Sequence, residues 1–79
     1  MLKEYRKTAT INAEKFGTTL KQIEKYSLIY VSSENFYWIE TKTGMAKLKA
    51  GDWIATGVDG EHWPISNEVF QQTYMEVSK

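Results

Sequence analysis

Asp59-Gly60 narrows the fold more than any other feature, because it separates two runs rich in β-branched and aromatic residues, WIATGV at residues 53–58 and EHWPI at residues 61–65. A type I′ hairpin turn needs two positive φ values, and Asp-Gly supplies them at low steric cost. The two runs are therefore expected to fold back on one another as antiparallel strands. Pro64 has no N–H to give to a ladder, so the returning strand should end there or lie at a sheet edge.

The same logic extends along the chain. Over residues 5–16, Ala9, Ile11 and Ala13 alternate with Thr8, Thr10 and Asn12, the period of a strand with one face inward. Gly17 breaks the run. Thr19 and Gln22 then have the spacing of a capping box, which predicts a short helix to about Tyr26 with Leu20 and Ile23 as its buried stripe. Residues 27–31, SLIYV, read as a buried strand closed by a turn at Ser32, Ser33, Glu34 and Asn35.

Residues 36–41 place Phe36, Trp38 and Glu40 on one face and Tyr37, Ile39 and Thr41 on the other. Neither face is plainly polar, the pattern of a strand that is central, covered twice, or part of a subunit contact. After Lys42, Thr43 and Gly44, the residues Met45, Lys47 and Lys49 alternate with Ala46 and Leu48, giving a strand with one wet face. Ala50, Gly51 and Asp52 turn the chain into the hairpin. Ser66 is placed as an N-cap, with Ile65 and Phe70 as a hydrophobic staple, so a second short helix is expected over residues 67–72. Residues 74–77 read as a closing strand.

The fold expected from these elements is α+β: a small curved antiparallel sheet of five to seven short strands, barrel-like in its limit, with two short helices. A chain of 79 residues has no room for a second core, so it is one domain, residues 1–79. Three Trp, five Tyr and three Phe compensate for the small size, since each ring can bury roughly 150–250 Å². The doubly apolar strand at residues 36–41 and the marginal core both suggest a homo-oligomer.

Composition excludes several classes. There is no cysteine, hence no disulfide framework and no thiolate metal site, and His62 has no second histidine with which to share a metal. No apolar run approaches a membrane span or the core of a signal peptide, so the expected compartment is the cytoplasm. The formal charge is zero, but residues 1–25 carry six Lys/Arg against three Glu and residues 26–79 carry four Lys against seven Asp/Glu. Residues 51–77 contain five acids and no Lys or Arg, which argues against sequence-specific or non-specific DNA binding there.

Candidate chemistry is sparse. Gly51-Asp52, Gly57 and Gly60 could form an anion-holding nest, although turn and bulge glycines are the plainer account. Gly57, inside a strand, marks a bulge or a close approach by another group. Glu61 and His62 point to opposite faces of a strand and so make no simple proton-transfer dyad. No Ser stands in a Gly-x-Ser-x-Gly setting, and Asp52, Asp59 and Glu61 lack the acid spacing of a calcium loop. No metal, no cofactor and no catalysis are expected. Trp38, Trp53 and Trp63 offer planar faces to a base, where stacking contributes ~1–3 kcal/mol, or else form the core. Arg6 and Lys7 could pair with phosphates. With Thr56 and His62 these make the candidate ligand-binding set: Arg6, Lys7, Trp38, Trp53, Thr56, His62 and Trp63.

Residues 51–64, GDWIATGVDGEHWP, followed by FQQTY at residues 70–74, resemble the C-terminal signature of short proteins of tailed phages and prophages. The same stretch is similar to PGDYG-type domains. Tyr5, Arg6 and Lys7, with Ile11, Asn12 and Ala13, resemble the start of these phage proteins, so the likeness spans nearly the whole chain. The sequence departs from the pattern at Ala50, where a Pro often precedes the Gly-Asp pair, and in having no further Pro or Cys shortly after Pro64.

The resemblance carries no catalytic residues. It implies an accessory phage product in the host cytoplasm. Together with the small size, the abundant Trp and Tyr, and Arg6 and Lys7 available for phosphate, this leads to the expectation that the protein counteracts host defence by sequestering a small nucleotide-derived signal in an aromatic pocket between subunits. The alternative is a protein-interaction module that binds and inhibits a host protein, which would expose an apolar patch rather than a deep pocket. An enzyme using Glu61 or His62 is the third and weakest reading.

Overall fold

The computed structural model describes residues 2–3 and 11–74. Their order is β1 (Asn12–Lys15), α1 (Leu20–Lys25), β2 (Ile29–Val31), β3 (Phe36–Thr41), β4 (Gly44–Leu48), β5 (Trp53–Thr56), β6 (His62–Ile65) and α2 (Asn67–Thr73). The α+β class is as expected, with six antiparallel strands and two short helices. The single curved sheet is not. The strands divide into two three-stranded sheets, β1-β5-β6 and β2-β3-β4, which do not close into a barrel. Among the described residues no helix is long and apolar enough to cross a membrane.

The division falls at the turn between β4 and β5. Gly51 has φ +94°, at the third position of a turn in which the Asp52 amide donates to the Lys49 carbonyl at 3.0 Å. Strand β1 is pinned beside it, because the Phe16 amide donates to the Asp52 carbonyl at 2.7 Å and the Gly51 amide to the Phe16 carbonyl at 2.9 Å. These bonds drive Phe16 between the sheets. It joins Tyr26, Leu28, Ile39, Leu48 and Ile54 in the core, and its ring meets Tyr37 edge-on at 5.0 Å.

The hairpin exists with a different turn. Gly60 has φ +81°, but Asp59 does not have a positive φ. The Gly60 amide donates to the Gly57 carbonyl and the Gly57 amide to the Glu61 carbonyl. This is a three-residue loop, a type I turn followed by a left-handed glycine. The extra residue sets the register: Thr56 lies opposite His62 and Ala55 opposite Trp63. A two-residue loop would have put Thr56 opposite Trp63 and turned the return strand's faces over.

Three further expectations change. Ala13 is exposed, and the β1 residue on the core side is Glu14, paired with the buried Ile54. Leu20 is 70% exposed, so only Ile23 of the expected helical stripe packs on the core. Strand β2 is an edge with Ile29 and Tyr30 exposed, because burial in that run belongs to Leu28 just before it. By contrast β3 is central, β4 has the expected wet face, and Pro64 lies in an edge strand. The expected strand at residues 74–77 lies largely outside the described residues.

Candidate functional site

The best-connected polar cluster forms where the end of α1 meets the hairpin. Helix α1 starts as its sequence dictates, with the Thr19 hydroxyl accepting from the Gln22 amide. The Gln22 side chain, however, does not close the expected capping box, because it reaches past the Thr19 amide to β1 and its exit. Its Oε1 accepts from the Gly17 amide at 2.9 Å, and its Nε2 donates to the Glu14 carboxylate at 2.7 Å and to the Lys15 carbonyl at 2.9 Å. Lys25 Nζ and the Tyr26 hydroxyl donate to the other oxygen of the same carboxylate.

Three donors on one carboxylate favour its ionised form. The Tyr26 hydroxyl first, then Gln22 and Lys25, lower the Glu14 pKa to about 2. Burial, and then the neighbouring carboxylate, push the Tyr26 hydroxyl up. A carboxylate so acidic is a poor general base at neutral pH, and the arrangement acts as an anchor.

Tyr26 also meets His62 edge-to-face at 4.9 Å, and His62 Nδ1 lies 2.9 Å from Thr56 Oγ1. The Tyr26–His62 contact forms a wall shared by two open clefts. One, of about 500 Å³, is lined by residues that include Lys25, Lys42, Glu40, Asp59, Glu61 and His62. The other, of about 340 Å³, runs over Asn12, Glu14, Ile54 and Thr56. Three carboxylates against two lysines make the larger cleft a poor phosphate site.

Of the residues expected to bind a ligand, Thr56 and His62 come together across the hairpin. The tryptophans do not join them. Trp63 is on the opposite face of β6 from His62, with its ring across Gly57, where an added Cβ would also strike the Glu61 carboxylate. The carboxylate is the end of a flexible side chain and the Trp63 ring is the firmer neighbour, so Gly57 marks a close approach by side chains rather than a backbone requirement. Trp53 shares the Trp63 face, but it is covered by Phe70, whose ring stacks on it at 4.0 Å and 9°. Trp38 is on the outer face of β3, between Ile29 of β2 and Lys47 of β4. All three are half-buried, neither fully core nor free. Arg6 and Lys7 lie outside the described residues.

Sequence reasoning missed Glu14, Gln22, Lys25 and Tyr26 as a group. Their meeting depends on how α1 docks against β1, and no local spacing encodes that.

The outer face of β2-β3-β4 is the second candidate surface. Ile29 and Met45 are 57% and 49% exposed, Val31 and Trp38 half-buried, and Phe36 buried beneath them. Phe36 and Trp38 meet edge-on at 5.0 Å, and Lys47 Nζ sits 4.8 Å from the Phe36 ring centre. Exposed Glu40, opposite Met45, and Lys47, opposite Trp38, bring two charges to this face, and the aromatic rings and Met45 are its residues of the kind enriched in protein contact surfaces.

No family model, no curated protein and no solved structure matches this chain.

Proposed function

We propose that this protein is a non-catalytic interaction module, an accessory product of a tailed phage or prophage that acts in the host cytoplasm by binding and inhibiting a host protein. The observation that carries the reading is the apolar band of Ile29, Trp38 and Met45 on the outer face of β2-β3-β4. A half-buried Trp beside exposed Ile29, with Glu40 and Lys47 as its charged neighbours, supplies the aromatic anchor that interface energetics favour. The phage resemblance of residues 51–64 and 70–74 supplies the setting.

The sequestration reading keeps one observation in its favour. A cleft of about 500 Å³ is large enough for a nucleotide, and the Tyr26 and His62 rings stand in its wall. Its carboxylates and the dispersal of the tryptophans weigh against it.

Affinity capture from a bacterial host lysate separates the two. The interaction reading expects one host protein retained in near-stoichiometric amount, lost with Trp38→Ala and Met45→Lys, and kept with Val69→Lys on the exposed side of α2. Calorimetry with cyclic and NAD-derived nucleotides should give no heat. Nucleotide binding with no retained protein would reverse the order of the two readings.

A further inference from the structure

Among the described residues four strands lie at sheet edges: β1 and β6 in one sheet, β2 and β4 in the other. Open edges invite a neighbouring strand, and proteins discourage this with charge or proline. Three of the four edges carry such a device. Strand β1 has Glu14 and Lys15, β4 has Lys47, and β6 has Pro64. Strand β2 has none, since residues 27–33, SLIYVSS, contain neither charge nor proline. Its Ile29 and Tyr30 side chains are more than half exposed, and no described backbone group pairs with its outer side.

We infer that β2 is a strand-pairing edge, and that its occupant is the β2 of a second copy of this chain, antiparallel across a two-fold axis at Tyr30. The segment is self-complementary in that register. Tyr30 faces its own counterpart, and Ile29 faces the partner's Val31, a β-branched pair of the kind that stabilises antiparallel ladders. No like charges are opposed. The same pairing through β4 would bring lysines together.

Tyr30 already packs on Tyr37 at 4.8 Å, so two such ring pairs meet at the axis. The result is a continuous six-stranded sheet. A two-fold contact of this kind closes on itself and does not propagate into a fibre. Because β2 is three residues long, the pairing is weak and depends on concentration. The inference does not rest on host-protein capture.

The chain has no cysteine, so Tyr30→Cys places a lone thiol on the proposed axis. Directly opposed Cα atoms in an antiparallel pair are about 4.5–5.5 Å apart, within the range a disulfide spans. Under mild oxidation this variant should become a covalent dimer about tenfold faster or more than Val69→Cys on α2, since aligned thiols react at a raised effective concentration. Sedimentation of the unmodified chain from about 10 μM to about 1 mM should show a monomer–dimer shift, a range set by weak affinity. Tyr30→Lys, with an unchanged circular dichroism spectrum, should abolish the shift. Equal cross-linking rates, or a monomer at every concentration, would overturn the inference. A dimer that captures no host protein supports it and removes only the interaction reading.

Discussion

The Tyr26 hydroxyl donates to the Glu14 carboxylate, joining the last turn of α1 to β1 across twelve residues of sequence. Gln22 and Lys25 complete the coordination of that carboxylate, which, with the Gln22 bond to the Lys15 carbonyl, ties the helix to the first sheet. The Glu14 pKa, lowered from 4.5 to about 2, makes the tie pH-dependent. A depressed carboxyl pKa contributes stability above its unfolded value, and that contribution is lost as pH falls through the folded value. The loss should therefore run from about pH 5 down to about pH 2. About a third of the Glu14 side chain remains exposed, so solvent screening reduces its contribution to roughly 1–2 kcal/mol. Glu14→Gln should lower stability by that amount at pH 7 and flatten the acid limb. Urea unfolding of both proteins at pH 7 and pH 3 checks it, and equal acid sensitivity would remove the assignment.

Ser27 holds φ +52° just past the end of α1. The Leu28 amide donates to the Ile23 carbonyl at 2.9 Å and the Ser27 amide to the Glu24 carbonyl at 3.3 Å, the paired bonds of a Schellman motif. Glycine is the usual occupant because a side chain strains the left-handed region. Ser27→Gly should raise stability by about 0.5–1 kcal/mol, read as a higher urea midpoint with an unchanged slope. Unchanged or lower stability would mean that the serine side chain makes a compensating contribution.

Much of the architecture is legible in short-range chemistry. Thr19 and Gln22 locate α1, Ser66 locates α2, and the two apolar faces of residues 36–41 identify a central strand. What escapes is set by contacts between elements. The exposure of Leu20 follows from which side of α1 meets the core, and a six-residue helix has too few turns to declare its buried face. The turn at Asp59-Gly60 escapes for a similar reason: Gly57 and Glu61 pair across it and lengthen the loop by one residue. Thr56 and His62 were recognisable as candidates, but their meeting depends on that register.

Gly57 and Glu61 yield a prediction of their own. The Glu61 carboxylate folds over Gly57 and accepts from the Asp59 amide at 3.3 Å. Gly57 does not have a positive φ, so an alanine fits its backbone and is opposed only by that side chain and the Trp63 ring. Gly57→Ala should cost about 1 kcal/mol in the native protein and much less in a Glu61→Ala background, because removing the carboxylate frees the space. Equal costs in both backgrounds, measured by urea unfolding, would place the obstruction on Trp63 alone.

Helix α2 has no buried residue and only seven residues, too few to stay helical in isolation. It is held through its side chains on Trp53. Phe70 stacks on the indole, Tyr74 stacks on Phe70 at 5.3 Å, and Trp53 Nε1 donates to Asn67 Oδ1 at 2.9 Å. The stack gives a half-buried ring the geometry that adds to simple area burial. Phe70→Ala should therefore cost about 1–2 kcal/mol, below the cost at a fully buried site. It should also melt α2 and expose Trp53, so helical ellipticity falls and tryptophan emission shifts to the red. Val69→Ala, at a half-exposed neighbour, should do neither. If amide exchange over residues 67–73 stays protected in Phe70→Ala, contacts other than the Trp53 stack hold the helix in place.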